Sequence, residues 1–106
     1  MREQLLSRFI DYIKIDTQSN EDSNTIPSTK KQFDLARLLF KELTQMDLDW
    51  VDLDDKCYVY AKLNSNIPED HPAYQKTPKI GFIAHLDTSP SVTGKNVNPQ
   101  ILQDYQ

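Results

Sequence analysis

The stretch KIGFIAHLDTSP, residues 79–90, is apolar at every position from 80 to 84, then stops at a histidine with an aspartate two residues later. An unbroken apolar run is how a strand reads when both of its faces are covered, as in the parallel sheet of an α/β protein. It predicts a buried central strand. In open α/β sheets ligands collect in the crevice beyond the carboxyl ends of the strands, and that is where His85 and Asp87 fall. Side chains at i and i+2 share one side of a strand. His85 and Asp87 can therefore serve one site, while Leu86 between them turns into packing.

The rest of the chain supplies elements to surround such a strand. Leu5, Leu6, Phe9, Ile10 and Ile13, interrupted by Ser7, Arg8 and Asp11, have the spacing of an amphipathic helix. The interruptions exclude the apolar core of a signal peptide, and no segment reaches the length needed to span a bilayer. Residues 16–28 are polar and turn-forming and read as a loop. A second helix follows, with Thr29 and Gln32 at the spacing of a capping box and Phe33, Ala36, Leu39, Leu43 and Met46 along one apolar face. Lys30, Lys31, Lys41 and Glu42 are expected to face water.

Leu48 and Trp50 alternate with acids, and residues 58–63 are rich in β-formers, so two strands should be joined by a turn near Asp54, Asp55 and Lys56. The acids there do not form a calcium loop, because Val51 occupies the third ligand position if Asp47 is first. Residues 64–78 carry Pro68, Pro72 and Pro78 without periodicity and read as a connecting loop. His71, between Asp70 and Pro72, is expected to be a solvated side chain.

Composition narrows the function classes. The chain has 106 residues, enough for one domain. Its net charge of -4 and pI near 5.0 exclude the clustered basic surface that nucleic acid requires. Cys57 is the single cysteine, so no disulfide forms within the chain. A lone thiol suits a reducing compartment, and Cys57 reads as a small buried apolar side chain. Gly81 and Gly94 are the only glycines, which excludes a glycine-rich phosphate loop. The expectation is a soluble, cytoplasmic protein with neither a nucleic-acid nor a membrane partner.

Two chemistries fit His85 and Asp87. In one, a neutral imidazole nitrogen binds a metal and the carboxylate holds the other ring N–H, fixing tautomer and orientation. In the other, the pair is the base and orienter of a nucleophilic triad. The triad is the weaker, because Thr88 and Ser89 lack a nucleophile-elbow context. A third account is purely structural: a histidine satisfied by nearby backbone and an aspartate capping the Thr-Ser-Pro turn.

The flanking residues bear on that choice. GFIAHLDTSP, with the following TGKNVNPQI, resembles the first metal-binding segment of the M20 family of zinc peptidases. The resemblance continues upstream through FIDYIKIDTQSNEDSNTIPST and KKQFDLARLLFKEL, and so covers nearly the whole chain. It implies that His85 is a ligand of one of two zinc ions and that Asp87 supports it and counts as catalytic. It implies an aminopeptidase that removes the N-terminal residue from tripeptides; other family members act on dipeptides or acylated amino acids. It further implies that residues 1–106 are the N-terminal part of an α/β zinc-peptidase catalytic domain: two helices, a β-hairpin and the buried central strand.

The remaining ligands and the general base would then lie downstream. A catalytic zinc usually takes three protein ligands and a water. The chain alone is therefore expected neither to retain zinc tightly nor to cleave peptides, and its uncovered apolar faces should make it a homo-oligomer. The non-enzymatic alternative is a small α/β interaction module in which His85 is structural.

Overall fold

A computed structural model describes residues 1–103 and 105. Helices α1 (Arg2–Ile13) and α2 (Gln32–Thr44) precede an antiparallel hairpin of β1 (Trp50–Leu53) and β2 (Val59–Lys62), and a short 3-10 turn follows at Tyr74–Lys76. The helices and the hairpin lie where periodicity and β-former content put them.

Helix α2 is the centre of what core there is. Its apolar face lies on the hairpin, with Leu35 and Ala36 buried and Leu39 and Leu43 half-buried. The buried stripe is thus centred one turn earlier than the sequence suggests, and Met46 lies beyond it, exposed. The start of α2 also differs from the expected capping box. The N-cap position is Lys31, without a side-chain cap. The Thr29 hydroxyl instead donates to the Gln18 carbonyl at 2.8 Å, and the Gln32 amide donates to Thr29 Oγ1 at 3.2 Å. The two side chains expected to form the box thus bond each other instead of the free amides of the first turn.

The hairpin closes through Asp54. Its amide donates to the Tyr58 carbonyl at 3.1 Å, while its Oδ1 accepts from the amides of Lys56 at 3.0 Å and Tyr58 at 2.8 Å. Three-residue hairpin loops place a residue in the left-handed region, most often glycine. Here that residue is Cys57, at φ 71°. Its side chain is buried, as expected, and burial pushes its thiol pKa up. Val51, Leu53 and Val59 occupy the half-buried face, and Trp50, Tyr58 and Tyr60 the exposed one.

Helix α1 buries no residue, and Leu5 and Phe9 are more than half exposed. What joins it to α2 is polar: the Tyr12 hydroxyl donates to Glu42 Oε2, and Arg8 Nε lies 3.5 Å from the same carboxylate oxygen. Burial, followed by the Glu42 carboxylate, pushes the Tyr12 hydroxyl up to about 12. No helix among the described residues is long and apolar enough to cross a membrane.

The expected buried central strand is not formed. Residues 80–84 belong to no ladder, and Phe82 and Ile83 are 96% and 101% exposed. A central strand needs a hydrogen-bonding neighbour and a covered face, and among the described residues the sheet is two-stranded, β1 with β2. The expansion is visible in the dimensions. The radius of gyration is 17.8 Å, against about 13 Å for a compact domain of roughly this length.

Candidate functional site

His85 and Asp87 meet as the i, i+2 spacing suggests they can. His85 Nδ1 lies 3.1 Å from Asp87 Oδ1, with the imidazole 84% and the carboxylate 41% exposed. Where the neutral ring donates its Nδ1–H to an ionised carboxylate, Nε2 keeps its lone pair outward. Leu86, between them, lines an apolar cavity of about 450 Å³ with Phe9, Ile13, Leu35, Val92 and Val97. The chain therefore alternates here as a strand would, two polar groups to one side and an apolar one to packing.

The order of this segment comes from the residue after Asp87. Thr88 forms a parallel bridge with Gln18. Its amide donates to the Thr17 carbonyl at 3.1 Å, and its carbonyl accepts from the Ser19 amide and the Ser19 hydroxyl, each at 2.9 Å. Gln18 Nε2 donates to the Pro90 carbonyl at 2.9 Å. Sequence reasoning assigned residues 16–19 to a loop and missed this role; no local periodicity marks a partner about seventy residues away.

Behind the bridge stands an ion pair. Lys31 Nζ lies 2.9 Å from Asp16 Oδ2 and 3.4 Å from Gln18 Oε1, and Asp16 Oδ1 accepts from the Gln18 amide at 3.1 Å. The Lys31 ammonium, then the Gln18 N–H, hold the Asp16 carboxyl below the usual carboxylate range. A Cβ at Gly94 would fall 2.6 Å from Asp16 Oδ1, so any larger residue there would have to push the carboxylate aside. Lys31, expected to face water, is instead a partly covered ion-pair partner.

An imidazole with a free Nε2 and a carboxylate on its Nδ1 fits one metal-coordination position together with its orienting partner. It does not fill a coordination sphere. Among the described residues no three His, Cys, Asp or Glu side chains come together as a metal site. His71 stands apart from the pair in sequence and is exposed, its Nδ1 accepting from the Ala73 amide at 3.1 Å.

No protein-family model matches the chain. It is 48% identical over 105 residues, 99% of its length, to peptidase T of Geobacillus thermodenitrificans. It is 48% identical over 97% of its length to peptidase T of Clostridium acetobutylicum, and 49% identical over 99% to that of Bacillus anthracis. The chain spans about a quarter of the length of these curated relatives, 24% in each case. The resemblance to a peptidase family read from the residues around His85 is thus matched, along nearly the whole of this chain, by proteins named peptidase T.

Proposed function

We propose that this chain contributes a metal ligand, His85, and its orienting carboxylate, Asp87, to a zinc-dependent aminopeptidase of the M20 family that removes the N-terminal residue from tripeptides. The observation that carries the reading is the 48% identity to peptidase T along 99% of the chain. The contact between His85 Nδ1 and Asp87 Oδ1 supports it, because it frees Nε2 for a metal and fixes the ring. A zinc held at Nε2 would supply Lewis acidity towards a peptide carbonyl and would lower the pKa of a bound water. His85 would hold one ion, and Asp87 would keep the imidazole in its ligating tautomer and raise its basicity. The exposed apolar run at 80–84 supports a second part of the reading, self-association of the chain.

The test is tripeptide hydrolysis by the protein translated from the complete reading frame, with zinc, with a chelator, and with His85→Ala. Activity should need the metal and vanish in His85→Ala, and Asp87→Ala should keep part of the metal while losing most of the rate. Hydrolysis that survives chelation or His85→Ala would defeat the proposal. A parallel panel of dipeptides and acylated amino acids separates tripeptide cleavage from the other family activities.

A further inference from the structure

Among the described residues no hydrogen bond from another element reaches the His85 or Asp87 side chain; Leu86 between them lies against the apolar cavity. The residues before this pair, 80–84, are exposed and unpaired with any strand among the described residues, and both side chains of the pair are open to solvent. Its position relative to the helices is set by the chain that follows. That chain is gripped twice by the segment between α1 and α2: at both backbone groups of Thr88, and at the Pro90 carbonyl by the Gln18 side chain.

We infer that Asp16, Gln18 and Lys31 are positioning residues for the His85–Asp87 pair, acting through Thr88 and Pro90. The inference rests on the proposed function for what the pair does, and on geometry alone for what holds it. Gln18 is committed at every polar group. Its amide goes to Asp16, its carbonyl to Thr29, its Nε2 to Pro90, and its Oε1 faces Lys31. Lys31 neutralises Asp16 and orients the Gln18 amide at the same time, so one ammonium fixes both the fold of the 16–19 segment and the donor that reaches Pro90. Thr17, beside them, is 2% exposed, which keeps water from competing for its carbonyl's bond to Thr88. A ligand held from one side only is displaced when that hold loosens, and misplacement by about 1 Å can cost roughly a hundredfold in rate.

The experiment compares Lys31→Met, Lys31→Arg and Gln18→Met with wild type in the protein from the complete reading frame. The readouts are kcat and KM for a tripeptide, zinc affinity by competition with a chromophoric chelator, and amide exchange at Thr88. Lys31→Met and Gln18→Met should each lower kcat and weaken zinc binding by roughly tenfold or more, with KM within about twofold because neither residue touches substrate. Lys31→Arg keeps the charge beside Asp16 and should recover most of both losses. Gln18→Met preserves volume and leaves the Lys31–Asp16 pair intact, so it reads the same effect should Lys31→Met fail to fold.

Wild-type kcat and zinc affinity in both Met variants would overturn the inference. If wild type cleaves no tripeptide, the proposed function fails and exchange decides the positioning role. Thr88 protection reduced about tenfold in both Met variants upholds it, and unchanged protection overturns it.

Discussion

The helix–hairpin unit, residues 32–62, and the segment around His85 are ordered in different ways. In the first, α2 lies on β1 and β2, and Leu35, Ala36 and Cys57 are buried, with Leu35 also lining the cavity that Leu86 enters from the second region. In the second, the apolar residues Phe82 and Ile83 lie in solvent, and order arrives at Thr88 and Pro90 from Thr17, Gln18 and Ser19, near the other end of the chain. One region carries its own cohesion; the other borrows it. The residues with the most chemistry to offer are in the part that borrows, where a small number of hydrogen bonds decides their placement.

That contrast can be broken by mutation. Leu35→Ala should have the largest effect on stability, about 2 kcal/mol, at the low end for a buried leucine because the cover over it is thin. The shift in the urea midpoint measures it, and a loss below about 0.5 kcal/mol would mean that the unit is not held by its apolar seam.

A smaller and pH-confined effect is expected at Asp16. Its carboxyl is depressed by Lys31 and the Gln18 amide, so the folded chain takes up the proton less readily than the unfolded one. The contribution of the pair is therefore present above about pH 4 and lost as pH falls below it. Urea midpoints at neutral pH and near pH 3 should show wild type losing more than Asp16→Asn, and equal losses would remove the pair from the account.

The smallest effect on stability belongs to Phe82→Ser. With the ring 96% exposed, unfolding should shift by no more than about 0.5 kcal/mol. The same substitution should reduce self-association by light scattering. Destabilisation comparable to Leu35→Ala would show that the run is covered in solution and erase the contrast.

What could be read in advance follows the same division. The helical spacing of Phe33, Ala36, Leu39 and Leu43, and the alternation at Leu48 and Trp50 with the β-formers of residues 58–63, are local signals that mark α2 and the hairpin, though not Leu35 as the centre of the buried stripe. The i, i+2 spacing of His85 and Asp87 is local too, and the side chains meet. The unbroken apolar character of residues 80–84 records only that such a strand is suited to burial; it carries nothing about which residues cover it. The bridge from Gln18 to Thr88 leaves no mark on either local pattern, and the Thr29 oxygen, read as a helix cap, accepts from the Gln32 side chain while its O–H reaches Gln18.

The hairpin turn has a practical consequence of its own. Cys57 is the sole thiol of the chain, 7% exposed, and locked in a left-handed conformation by the hydrogen bonds of Asp54. An alkylating reagent can reach that sulfur only when the turn opens. Where reclosing outruns reaction, the labelling rate reports the free energy of that opening without denaturant. A single reagent thereby becomes a clock for the hairpin, and any substitution elsewhere in the chain can be asked whether it changes the tempo.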